Sequence, residues 1–444
     1  MEFLDKLVLP QSSEHIQLLH YMLMLIFFLF VPFISVVFGG AVLSFYYKTR
    51  GINESNPVFI RFSKDLIESL TINKSIGIII GIVPVLTAVL IFAQLLHTTG
   101  SATVGFLIAA FVLNSIGIIF IYTYRYSYSI HEVFEVLKDY NPNEDIHNEI
   151  KMYREHTARL RNKSVIYGLV FLFLGLWLFV SGVTIASYPD KWITENIFYS
   201  LFSWIVLSRF IHFLAAAFAI TGAAILFAFF YWEGGRQNID ELYKDFVKTA
   251  ALRITFIAAL FQPLFLLINI IALPETALSG AVFGFAAIAL FLLFIAYHFL
   301  YAMIREATIR FSGHVFFALL FALMAVIIQD QLAMSNATRP QSAVLAADFE
   351  KYVTELRGEG TEIEVSGEDI FQTRCSSCHR FDTKLVGPSY NETLQKYEGK
   401  MNDLVGFILN PGKIDPAYPP MPNPGLKPNE ARAVAEYIME TYKK

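Results

Sequence analysis

Charge is scarce in this chain of 444 residues. Only 16% are Asp, Glu, Lys or Arg and 55% are hydrophobic, against about 25% charged in an average soluble domain. Such a chain cannot solvate its whole surface, so most of it is expected to lie in a membrane. Net charge is only -4, which leaves no basic footprint for nucleic acid, and none is expected as a partner. The N-terminus lacks a basic region followed by a small-residue cleavage site. No cleaved signal peptide is expected, and the spans themselves must carry any outer parts across. Cysteine is scarcer still: there are two, Cys375 and Cys378, which excludes a framework of several disulfides.

Those two cysteines stand in Cys375-Ser-Ser-Cys378-His379. A C-x-x-C-H run is the attachment signature of c-type haem. The two thiols form thioethers to the haem vinyl groups, and the adjacent His offers an axial imidazole to the iron. One covalent haem c is therefore expected, on the side of a bacterial inner membrane where haem c is attached.

A spanning helix needs roughly 20 apolar residues. Eight stretches qualify, at about 17–47, 75–97, 101–124, 164–188, 201–232, 254–273, 277–303 and 311–333. Pro32, Pro84 and Pro263 lie inside them and should kink them. Basic residues concentrate in the segments 48–74, 125–163, 233–253 and 302–310, including Lys48, Arg61, Lys64, Arg125, Lys138, Arg161, Arg236, Lys248 and Arg305. The alternate segments before the last span offer only Lys6 and Lys191. The positive-inside rule puts the first set in the cytoplasm and both termini outside. The fold class is therefore all-α. Residues 1–333 form an eight-helix bundle, 334–365 read as a linker, and 366–444 form a small periplasmic domain carrying Cys375–His379.

In that last domain, Gly367-Glu-Asp-Ile-Phe371 opens a first helix, and a last helix follows Pro428 with Ala431, Val434, Ile438 and Tyr442 on one stripe. The pattern resembles class I cytochrome c, whose first and last helices cross at a Gly/aromatic contact. The resemblance implies a second axial ligand from a Met in a Pro-rich loop. Here that is Met421, in Tyr418-Pro-Pro-Met421-Pro. Met401 competes, but it opens a helix at 401–409 and lacks flanking prolines. His/Met ligation raises the potential and suits electron transfer.

Ionisable residues inside a membrane are functional hypotheses by default. His20, His97, His212, His298 and His314 fall in or at the ends of spans. They are candidate iron ligands for one or more haem b groups, His298 and His314 the weaker ones. A His bonded to a neighbouring helix is the competing explanation. His131, His147 and His156 lie in a charged loop and read as solvated. His212 follows Arg209 by one helical turn, on the same face. A buried Arg needs an anionic partner, and a haem b propionate would supply one.

Arg209-Phe-Ile-His212, the small-residue run Ala215–Gly222 and then Phe229-Phe-Tyr-Trp-Glu-Gly-Gly-Arg236 resemble the haem-ligand helix of subunit I of cytochrome bd-type quinol oxidases. His20 followed by Leu29-Phe-Val-Pro32 resembles that family's first helix, with longer spacing. The resemblance implies a low-spin haem b at His212, with Met324 a possible second ligand, and further membrane subunits. Two features depart from it. The third span has Asn114 where the oxidases carry glutamates, and no long quinol-binding loop separates spans six and seven. The expected function is an electron-transfer subunit of a membrane oxidoreductase. It would join a quinone pool to periplasmic c-type carriers through haem b and haem c, with Glu195, Asp190 or Glu275 as candidate proton acceptors. A bd-like oxidase fed by its own cytochrome c, and a haemless anchor, are the alternatives.

Overall fold

The computed structural model describes residues 10–137, 144–193, 197–236, 239–357 and 366–443. It forms two compact units, Met1–Glu350 and Lys351–Lys444. Glu195, Lys138 and Lys6 lie outside the described residues.

Among the described residues, eight helical stretches are long and apolar enough to cross a membrane. They are α1 (Ser13–Asn53), α3 (Lys74–Leu95), α4 (Thr103–Val136), α5 (Glu144–Ala186), α7 (Trp204–Phe230), the pair α8 (Glu241–Leu260) and α9 (Gln262–Ile271), α10 (Gly280–Arg305) and α11 (Ser312–Ala337). Between them lie α2 (Pro57–Leu70) and α6 (Ile197–Leu201). In lipid every backbone N–H and C=O must be satisfied within its own segment, so apolar runs of this length can only be helices. Side-chain caps set several starts. Ser12 accepts from His15 N–H, Asn73 from Ser75 N–H and Asp240 from Tyr243 N–H, each satisfying a donor that the first helical turn leaves free.

Helix does not stop where hydropathy does. α4 runs on to Val136 and α5 begins at Glu144, so the segment 125–163 expected as a loop is mostly helical. The segment 334–365 read as a linker carries α12 (Arg339–Leu356). The prolines divide. Pro32 and Pro84 sit inside unbroken helices. Pro263 marks a break, standing in the first turn of α9, where a missing N–H costs nothing. The carbonyl it would have bonded, Ala259 O, accepts instead from Tyr297 Oη at 2.7 Å.

The tightest seam joins α4 to α5. Gly168, Gly175 and Gly182 recur every seventh residue on α5, and a methyl group on them would strike Ile121, Asn114 and Leu107 of α4. Those three also recur every seventh residue. Small residues let membrane helices approach until van der Waals contact is continuous. Gly175→Leu would force these backbones apart. It is expected to lower the detergent unfolding midpoint by the equivalent of about 1–3 kcal/mol, the range for overpacked cores. An unchanged midpoint would mean that the seam yields.

The segments rich in Lys and Arg meet at one end of the bundle. Arg61 pairs with Asp240 at 2.8 Å and Arg236 with Asp65 at 3.5 Å. Lys64 bonds Glu132, and buried Lys48 bonds Asn162. α2 lies here with Phe62, Leu66, Ile67 and Leu70 buried and Arg61 exposed. Elsewhere in this unit, Gln341 Nε2 donates to His97 O at 2.7 Å and Asn336 Nδ2 to Ala277 O at 3.1 Å.

The second unit is small. α13 (Gly367–Ile370) crosses α16 (Pro428–Tyr442), with α14 (Tyr390–Thr393) and α15 (Met401–Leu409) between them. Gly367 sits so close to Ala433 O and Tyr437 that a Cβ has no room. Phe371 packs on Tyr437 with ring centroids 5.6 Å apart. The Gly/aromatic crossing expected of the first and last helices is thus present. Ala431, Val434, Ala435 and Ile438 form the buried stripe of α16.

Candidate functional site

Two sites emerge, one in each unit. In the small unit, α13 runs into a single π-helical turn, Phe371–Cys375, in which Ser376 N–H reaches back five residues to Phe371 O at 2.8 Å. Such turns are rare and frequently mark functional positions. The chain then folds tightly: Cys378 N–H and His379 N–H both donate to Cys375 O, at 3.1 and 3.0 Å. No disulfide joins the two cysteines; Cys375 is buried and Cys378 partly so.

His379 is held on two sides. Its Nδ1 bonds Pro388 O at 3.2 Å, and Tyr390 stacks on the ring at 5.0 Å and 16°. Gly387 lies against the same ring so closely that any side chain there would collide. Burial pulls the imidazole below its ordinary range, with the Pro388 carbonyl pulling the other way. Neutral imidazole is the ligating form, and a carbonyl on Nδ1 fixes the tautomer that leaves Nε2 for a metal. His379 and Met421 both line one cavity of about 360 Å³, walled by Leu404, Phe407, Ile408 and Ile438. Met401 packs against the domain core instead. Two thiols in one turn, a buried imidazole with Nδ1 engaged, and a thioether lining the same apolar cavity fit a covalent haem with His379 and Met421 as its iron ligands.

In the bundle, the structure does not gather the five membrane histidines. His298 and His314 are exposed, each beside Phe299 rather than inside the bundle. His97 is half-buried at the end of α3, and its carbonyl takes the Gln341 bond. His20 lines a recess between α1 and α11 with Gln331 and Ser335, and its Nδ1 is buried without a partner. Asn114 is buried on α4 with neither side-chain atom bonded.

His212 is buried, and both ring nitrogens are engaged. Nε2 bonds Gln262 Oε1 at 3.0 Å and Nδ1 accepts from Asn269 Nδ2 at 2.9 Å. The break at Pro263 places Gln262 in the first turn of α9, and Asn269 follows two turns on. The imidazole is therefore satisfied by a neighbouring helix, the competing explanation for such a residue. Nor does the expected haem propionate stand alone as an anion for Arg209. Asp330 of α11 lies 3.4 Å from Nη1, and Tyr188 is a further neighbour. Arg209, His212, Gln262, Asn269, Asp330 and Gln331 all line one cavity of about 130 Å³.

Sequence reasoning missed Asp330, Gln262, Asn269 and Gln331. The signal was present: each is a polar residue inside an apolar span, where burial is costly unless a partner is found. Of the proton acceptors considered, Asp190 and Glu275 are exposed surface carboxylates. Among the described residues no group of three or more His, Cys, Asp or Glu could hold a metal ion.

Comparison with known proteins bears on the small unit. The cytochrome c family matches residues 365–441. Cytochrome c-551 of Pseudomonas denitrificans is 37% identical over 81 residues, which are 17% of this chain and 95% of that protein. Cytochrome c-551 of Azotobacter vinelandii is 35% identical over 78 residues, again 17% and 95%. No solved structure matches significantly.

Proposed function

Through residues 365–441 this chain belongs to the cytochrome c family, and from that premise we propose that it passes electrons between a membrane quinone pool and periplasmic c-type carriers. The observation that carries the reading is one chain joining an eight-helix membrane bundle to a domain whose His379 and Met421 line one cavity beside the C-x-x-C turn. The clustering of basic segments at one end of the bundle supports the orientation with the cytochrome domain in the periplasm. Oxidation of a quinol releases two electrons and two protons, whereas haem c takes up one electron. Haem c must therefore deliver the first electron to an outside carrier before the second arrives, or share the pair with another centre, in the bundle or in a partner subunit.

Haem b at His212 is the finer form of this reading. It requires the imidazole to exchange its Gln262 bond for iron, and the cavity beside it to open well beyond one ring. A pyridine haemochrome of the purified chain separates the forms. Haem b beside one haem c, with the b component lost in His212→Ala, supports the bundle as its holder. Haem c alone leaves the electrons to pass without it. The reading as a whole is tested by adding a short-chain quinol to the oxidised protein. Failure to reduce a haem c that ascorbate does reduce would sink it.

Met421 is read as the second axial ligand. Met421→Ala should keep haem c covalent but lower its midpoint potential on the order of 100 mV, within the roughly 0.8 V that axial ligands command. An unchanged potential would move the ligation to Met401 or elsewhere.

A further inference from the structure

Arg209 is 8% exposed; Asp330 lies beside its Nη1 and Tyr188 is a further neighbour, while Nε and Nη2 are buried without a hydrogen bond. Gln331 Oε1 at the same cavity is buried and unpaired as well. Unmade bonds of this kind are costly, more so for charged groups, so their persistence at one cavity asks for a ligand. We propose that this cavity receives the head group of a quinone. The inference rests on the reading that the bundle exchanges electrons with a quinone pool, and it gives that exchange a place.

Charge decides the class of ligand. Asp330 already neutralises Arg209, so what the guanidinium lacks is acceptor oxygen and not negative charge. A carboxylate or phosphate would add an uncompensated anion to a buried site. A neutral ring bearing carbonyl oxygens supplies acceptors and nothing else. The cavity, at about 130 Å³, is close to the roughly 150 Å³ known to take one benzene-sized ring. Its walls are Phe27, Phe179, Phe213, Leu266 and Ile327, apolar enough for the faces of a ring. Both redox forms find partners: Arg209 N–H groups donate to quinone oxygens, and Gln331 Oε1 accepts from a quinol hydroxyl. His212, fixed by Gln262 and Asn269, closes one side of the site as a neutral group.

The test uses the full chain with its haem c, in nanodiscs, and a benzoquinone with a decyl tail. Saturable binding of about one probe per chain is expected, with an azido derivative labelling α7 and α11. Arg209→Gln should weaken binding tenfold or more. Ala216→Phe, which fills the cavity without touching the ion pair, should do the same. Both should keep wild-type haem c content and reduction by ascorbate. Labelling elsewhere, or wild-type affinity in Ala216→Phe, overturns the site. If the decyl quinol still reduces haem c in that case, the function stands and only the location fails. If the wild-type chain neither binds the probe nor is reduced by the quinol, both fall and the cavity is a hydration site.

Discussion

Replacing Cys375 and Cys378 together by serine is expected to abolish covalent haem and to unfold residues 366–443 while leaving the membrane bundle folded. The loss of haem follows from chemistry, because no other cysteine exists to form a thioether. The unfolding follows from packing. The buried core of this unit is eleven residues, from Ile370 to Met439, and beside it lies a cavity of about 360 Å³. With no haem to fill it, that space leaves apolar walls facing water and the core short of packing contacts. A small domain has about 5–15 kcal/mol in total. Limited proteolysis with a haem stain reads both effects. The serine variant should lose the stain and be cut throughout 366–443, while fragments of the bundle persist. A protease-resistant domain without haem would show that protein side chains alone make this core, and would detach the cavity from the cofactor.

The sequence disclosed these two units unequally, for a physical reason. Covalent haem attachment leaves a contiguous signature, Cys375 to His379, because both thiols and one axial ligand must fall in a single turn. The crossing at Gly367 was legible only through the resemblance to class I cytochrome c; the structure gives its reason, a backbone contact with room for glycine alone. Eight spans were legible because hydrocarbon demands apolar length, although the helix ends were not. Hydropathy marks where lipid stops, whereas helices stop at caps and turns, as α8 shows by starting at the Asp240 cap well before its apolar stretch.

The polar centre of the bundle was half legible. Arg209 and His212 stood out as a pair on one helix, and the need for an anion was argued from burial alone. The source of that anion was not legible, since Asp330 lies over a hundred residues away and only packing of α7 against α11 brings it near. Gln262 and Asn269 were hidden for the same reason. Their approach to His212 depends on the helix break at Pro263, which reads in sequence as a kink. Periodicity finds faces of single helices and does not tell which faces meet.

That distinction sets up the second large effect. Asp330→Leu is expected to destabilise the bundle by about 3 kcal/mol, the lower part of the range for breaking a buried ion pair. The lower part applies because Asp330 is 33% exposed while Arg209 is 8%. The harm comes less from the missing attraction than from a guanidinium left charged in an apolar interior. Removing that charge as well should therefore repair much of the damage. Arg209→Met combined with Asp330→Leu is expected to be more stable than Asp330→Leu alone, since an apolar pair of similar volume often replaces a buried ion pair without loss. The comparison is a thermal or denaturant midpoint for Arg209→Met, Asp330→Leu, their combination and the parent in one detergent, read as a double-mutant cycle. If Asp330→Leu costs under about 1 kcal/mol and the double variant gains nothing over it, Asp330 is not what holds Arg209, and an exogenous anion such as a haem propionate must take its place. The same four proteins thus decide between a guanidinium neutralised within the chain, which leaves a neutral ligand for the cavity, and one reserved for a charged cofactor.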